Sequence, residues 1–239
     1  MLQGEIHHTS FVMFGLIILF AIIHSGGAAI RCKAESFIGA RAWRIIFAAM
    51  SIPSAVTLIC YFLLHRYDGI RIWNFQSVPG IIELIWILTA ISFFFLYPAT
   101  YNLLEIPAVQ RPKIRLYGEG IIRISRHPQA IGQIIWCFAH CLWIGTSFMI
   151  VTCIGLIAHH LFAVWHGDRR LKVKFGDDFE KLKKSTSVFP FLAIIQGRQK
   201  IVLSEFVKFS QLGIFIAIGV LWWSHKFISA GTLKLLSMN

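Results

Sequence analysis

Six stretches of about twenty apolar residues recur along the chain, at roughly 10–30, 43–65, 79–104, 128–147, 148–166 and 207–229. Each has about the length an α-helix needs to cross a bilayer. Backbone polar groups in hydrocarbon must be satisfied within the segment, so a chain built of such stretches has one main choice of fold, a bundle of membrane helices. Composition agrees: 56% of the 239 residues are hydrophobic and only 14% charged, with a mean hydropathy of +0.68. The expected fold class is all-α, a polytopic membrane helix bundle with about six transmembrane helices and a short amphipathic interfacial helix. Residues 1–239 are read as a single integral membrane domain. The first run is too long for a signal-peptide core and is read as a retained span. Pro98 predicts a kink in the third span, and Gly145-Thr146-Ser147 predicts a tight hairpin between the fourth and fifth.

The formal charge of +12 would suit nucleic acid in a polar protein. Here it is concentrated between spans. Residues 31–44 carry Arg31, Lys33, Arg41 and Arg44 against Glu35; residues 105–127 carry five Lys/Arg against two Glu; residues 167–206 carry nine against five acids; and residues 66–78 carry only Arg66 and Arg71 against Asp68. With six spans the three basic loops fall on one face, which the positive-inside rule assigns to the cytoplasm or stroma. The expected partner is therefore the membrane, with no nucleic acid. Residues 177–184 alternate acids and bases, with Phe175, Phe179 and Leu182 at helical spacing, the pattern of an amphipathic helix at the inner surface or of a solvated charged face. Val188-Phe189-Pro190-Phe191 is expected to turn back towards lipid. The five cysteines are odd in number and mostly lie inside apolar runs, so no disulfide framework is expected.

Polar groups in hydrocarbon are costly and are candidates for function. His24, His140, His159 and His160 lie inside the first, fourth and fifth spans. A single such histidine reads as a satisfied core residue, whereas four on three spans point to a bound group. Histidines on facing helices hold metals or haem between helices of a bundle. The spans hold almost no carboxylates, and no His-x-x-x-His or Glu-x-x-His occurs within one of them, so haem b suits the set better than zinc or non-haem iron. Around His140, Cys137 lies at i−3, Trp136 at i−4 and Gln133 at i−7, on one helical face. Cys137 and His140 are then two candidate ligands for one iron, the alternative for Cys137 being a small core hydrophobe.

Three runs carry a resemblance: "RHPQAIGQIIWCFAHCLWIG" from Arg126, "GLIAHHLFAVWHGDRRL" from Gly155 and "FEKLKKSTSVFPFLAIIQGRQK" from Phe179. In this order and spacing they resemble the 15-cis-zeta-carotene isomerases, within the membrane family named for a nitrite and nitric oxide reductase U protein. The likeness is close over 111–200 and looser before, where "LFAIIHSGGAAIR" carries His24. It implies cis-to-trans isomerisation of the central 15-15′ double bond of 9,15,9′-tri-cis-zeta-carotene, giving the 9,9′-di-cis form, with haem b (Fe) as cofactor and activity set by its redox state. It also implies a C40 substrate taken from lipid, an electron donor, and a photosynthetic membrane in a plastid or cyanobacterium. By motif position the axial ligands are His24 and His140, with Cys137 as alternate; His127 and His159 also match family histidines.

Depth along the helices points to a different pair. At ~1.5 Å per residue, His24 lies roughly 9 Å from the inner end of its span, His159 roughly 10 Å and His140 roughly 18 Å. His159 is therefore the next candidate ligand. Arg126 and His127, with Arg169 and Arg170, are candidates for holding the haem propionates, since arginine suits carboxylates, or they anchor the inner interface. Phe93, Phe94, Phe95, Phe138 and Trp143 are candidates for a carotenoid slot or plain packing. The Arg-His-Pro run also occurs in S-adenosylmethionine-dependent membrane methyltransferases of the isoprenylcysteine and phosphatidylethanolamine type. Their tandem glutamates are replaced here by Gly167-Asp168, which leaves that reading, with a non-enzymatic haem sensor, as the alternative.

Overall fold

A computed structural model describes residues 2–100, 116–206 and 209–237. Helix α1 (Leu2–Ala21) passes through a single π-helical turn (Ile22–Gly26) into α2 (Gly27–Ile38), making one rod. Gly39, at φ +82°, reverses the chain into α3 (Ala40–His65). After the loop at 66–80 come α4 (Ile81–Thr100), the short α5 (Ile121–Ile124), α6 (Pro128–Ile144) and α7 (Ser147–Phe175). Helices α8 (Asp177–Ser185) and α9 (Leu192–Ile195) fold beside the end of α7, and α10 (Phe209–Ser237) closes the chain. Among the described residues no strand forms.

The helix contacts follow from small residues at crossings. A Cβ on Gly132 of α6 would lie 2.7 Å from Leu96 and 2.8 Å from the Ser92 carbonyl oxygen, so only glycine allows α4 this close. The buried Ser92 hydroxyl donates to the Gly132 carbonyl at 2.8 Å. Gly155 plays the same part for α1 and α7, since a Cβ there would meet Ile17 at 2.8 Å. Met13, Ile17, Phe62, Cys137, Phe148 and Met149 form one buried cluster where α1, α3, α6 and α7 meet.

The expected hairpin is present. Helix α6 ends on Gly145 in the left-handed conformation, and the Thr146 side chain caps α7 by accepting from Met149 N. The 66–80 loop closes over it: Ile72 N donates to the Gly145 carbonyl at 2.8 Å and Ser147 N to that of Ile70 at 2.9 Å. A Cβ on Gly145, at φ +67°, would lie 2.2 Å from the Trp73 carbonyl oxygen. The conformation alone costs a non-glycine residue about 1–2 kcal/mol, and the overlap adds to it. Gly145→Ala is therefore expected to destabilise the protein by at least about 2 kcal/mol, read as a lowered melting temperature in detergent.

The expected six spans are met in part. Among the described residues three helices are long and apolar enough to cross a membrane, His8–Ile38, Ala40–His65 and Ser147–Phe175; Ile81–Leu96 and Phe215–Ile228 are shorter apolar helices. The 128–147 segment becomes a helix of 17 residues, about 26 Å long, held between Pro128 at its start and Gly145 at its end. Part of its apolar surface packs against α4 and α7. Of the 79–104 and 207–229 segments, residues 101–104 and 207–208 lie outside the described residues, as do residues 105–115 of the basic 105–127 loop; α4 itself runs on past Pro98 to Thr100. Large exposed apolar side chains, among them Phe11, Ile45, Ile59, Phe215 and Trp222, give the surface a character suited to lipid. The 177–184 helix forms, and it docks on the protein: Phe179 is buried while the lysines of its other face point out. Phe189 and Phe191 are exposed, as expected of a segment turned towards lipid.

Candidate functional site

His24 sits in the π-helical turn between α1 and α2. Such turns insert a residue into the helical register and recur at functional sites. The imidazole is fixed on several sides. Its Nδ1 lies 2.7 Å from the Ser51 hydroxyl on α3, and the ring stacks on Phe20 at 5.1 Å and leans on Phe47 at 5.3 Å. Phe47 approaches because residue 27 is glycine, whose Cβ would stand 2.9 Å from that ring. With Nδ1–H donated to Ser51, the lone pair is carried by Nε2.

Phe20 touches a second histidine, the His159 ring on α7, edge-on at 5.5 Å. His159 is buried and its Nδ1 has no hydrogen-bond partner, a deficit worth about 1–3 kcal/mol unless something fills it. His160 packs against it at 5.4 Å. Eleven residues on, three turns along the same face, Arg170 donates from Nη1 to the Ala28 carbonyl on α2 at 3.1 Å. Its Nε is also buried without a partner. The structure thus places two imidazoles from different helices about Phe20, with an arginine below them on the same stripe, and an unused polar atom at each end.

His140 lies elsewhere. Its Nδ1 faces the Trp136 carbonyl of its own helix at 2.9 Å, and its ring stacks on the Trp136 indole at 3.9 Å. Counting from the hairpin, it stands roughly 10 Å along the axes from His159. Cys137 is buried and faces α7: Cys153 Sγ donates to the Cys137 carbonyl at 3.4 Å, and Gln133 Nε2 donates to Cys137 Sγ at 3.6 Å. The structure therefore brings His24 to His159, not to His140.

The basic residues also divide. Arg126 grips Asp168 with two donors, Nη2 at 2.8 Å and Nε at 3.2 Å, and reaches the Thr186 hydroxyl at 3.4 Å. His127 Nε2 lies 2.6 Å from the same carboxylate. These two residues tie the start of α6 to α7 and have no donor pointed at the histidine pair. Asp168, the acid that organises them, is a residue that sequence reading noted only as a departure from another family's pattern; the signal was a basic pair followed by a single acid on the apolar helix α7. Arg169 is exposed, 6.0 Å from the Trp165 ring centre. Among the four basic candidates, Arg170 alone reaches the helix of His24. The aromatic candidates for a slot are dispersed: Phe95 is buried against Ile121 and Ile124, Phe94 stacks on Phe206, and Phe138 faces outward. Among the described residues no three His, Cys, Asp or Glu side chains converge on a metal-sized point.

A family model described as "NnrU protein" matches residues 12–231, and the chain belongs to that family. It is 50% identical over 228 residues to a protein of Zea mays named "15-cis-zeta-carotene isomerase, chloroplastic", covering 94% of this chain. A protein of Arabidopsis thaliana with the same name is 49% identical over 226 residues, covering 93% of this chain. The chain spans 62% of the length of each of these relatives. No solved structure matches it.

Proposed function

We propose that this chain is a haem-dependent carotenoid isomerase of a plastid membrane, converting 9,15,9′-tri-cis-zeta-carotene to the 9,9′-di-cis form by rotation about the central 15-15′ double bond. The observation that carries this reading is the identity of about half of the residues, over nearly the whole chain, to the two chloroplastic isomerases. The spanning helices supply the setting, since a C40 polyene partitions into lipid and reaches such a protein laterally. Nothing in the site favours methyl transfer.

The residues about Phe20 fit haem b. His24, oriented by Ser51, and His159, whose Nδ1 is buried and unpartnered, are the pair proposed to hold the iron. Arg170 is the residue proposed to meet a propionate, its free Nε suiting a carboxylate. Haem, when bound, would supply a reversible electron-donating centre next to the polyene, and the reaction has no net redox change. The protein's share is positional. Phe20 and Phe47 exclude water and hold the His24 ring, Ser51 fixes its orientation, and the bundle keeps both imidazoles in an apolar surround that would tune the cofactor.

Expression of this chain in cells that accumulate tri-cis-zeta-carotene is expected to convert that isomer to the 9,9′-di-cis form, read by chromatographic separation in darkness. Unchanged tri-cis-zeta-carotene, with the protein present in the membrane, would overturn the reading.

A further inference from the structure

Cys141 on α6 and Cys153 on α7 face each other across the hairpin, with the Cys141 thiol donating to Cys153 Sγ at 3.3 Å. Two sulfurs this close stand little more than an ångström beyond the ~2.05 Å of a disulfide bond. The contact is fixed by the fold. The left-handed Gly145 turn, the Thr146 cap and the overlying loop hold the two helix ends together, and Trp73 Nε1 donates to the Cys141 carbonyl at 2.8 Å. Cys153 is the buried member, and its own thiol donates to the Cys137 carbonyl at 3.4 Å. Cys141 is half-buried, one turn from the end of its helix. Of the other three thiols, Cys32 and Cys60 are exposed on α2 and α3, away from the pair, while Cys137 is buried and its side chain also borders Cys153. A pair of thiols on facing helices, one accessible and one behind it, is the arrangement of an attacking and a resolving cysteine.

We infer that Cys141 and Cys153 are a reversible redox modification site, closing to an intramolecular disulfide when the protein meets a lipid-soluble two-electron acceptor of the quinone type. Cys141, nearer the helix end, supplies the thiolate that engages the acceptor, and Cys153 completes the S–S bond as the acceptor leaves. The two S–H bonds break, one S–S bond forms, and both protons and both electrons pass to the acceptor, which becomes the hydroquinone. A dithiol reductant reverses the step. The bridge clamps α6 to α7 and takes away the thiol proton that Cys153 donates to the Cys137 carbonyl. The inference stands on the thiol geometry and does not depend on the isomerase reading.

The test uses the full chain in detergent micelles, treated with a fully substituted quinone or with diamide, then denatured and alkylated with N-ethylmaleimide for intact mass and peptide mapping. The thiols open to alkylation should fall from the five in the sequence to three, with a linked pair of peptides carrying Cys141 and Cys153. Cys141→Ser and Cys153→Ser should each abolish the loss, and Cys137→Ser should leave it unchanged. Should either serine variant fail to elute as a folded species, the alanine variant at the same position replaces it. Retention of all five labels in the oxidised wild type, a linkage through Cys32, Cys60 or Cys137, or loss of the bridge in Cys137→Ser would each overturn the inference.

Discussion

His24→Ala and His159→Ala are each expected to remove most of the Soret absorbance of protein purified from haem-supplemented cells, while His140→Ala keeps it. The expectation rests on which imidazoles can meet. His24 and His159 flank Phe20, whereas His140 turns its Nδ1 into its own helix and stacks on Trp136. His159 leaves Nδ1 buried without a partner, as expected of a ring that awaits one. Ser51→Ala should act more mildly, lowering haem affinity about 10–100-fold, because a residue that orients a ligand costs less to lose than the ligand itself. The reverse result, with His140→Ala bleaching the protein and His159→Ala leaving the spectrum unmoved, would restore the pairing implied by motif position and sink the one read from the fold. Gel filtration beside each spectrum separates loss of haem from loss of fold.

What could be read from the residues, and what could not, divides along physical lines. The hairpin was legible because Gly145 and Thr146 are local signals, a left-handed stop followed by a cap. Axial rise alone set His24 level with His159, and Phe20 lies between them in the structure. The π-helical turn that carries His24 was not legible, since one inserted residue leaves the apolar periodicity on either side intact. The number of crossings could not be read from apolar length for a related reason. Hydropathy measures transfer out of water and scores α6 alike whether it faces lipid or the packed faces of α4 and α7. The partner of Arg126 was hidden by distance: Asp168 lies 42 residues away, and only the close packing of α6 on α7 joins them. Basic residues before an apolar run read equally well as membrane anchors or cofactor clamps until that carboxylate is seen between them.

Asp168→Ala is expected to destabilise the protein by about 3 kcal/mol, the usual cost of leaving a mostly buried charge without its counter-ion. The Arg126 side chain is only 7% exposed and His127 15%, so neither regains water easily when the carboxylate goes. Asp168→Asn keeps the shape and one acceptor and should cost less. A double-mutant cycle between Asp168 and Arg126, followed by thermal denaturation in detergent, should return a coupling of at least about 1 kcal/mol. The same variant separates two roles for the basic pair. If Arg126 and His127 served a propionate, freeing them from Asp168 would tighten haem binding; if they lock α6 to α7, as their donors indicate, haem affinity should stay level or fall with stability. Tighter haem binding in Asp168→Ala would therefore return Arg126 and His127 to the cofactor, and a coupling near zero would show that the clamp adds nothing to the fold.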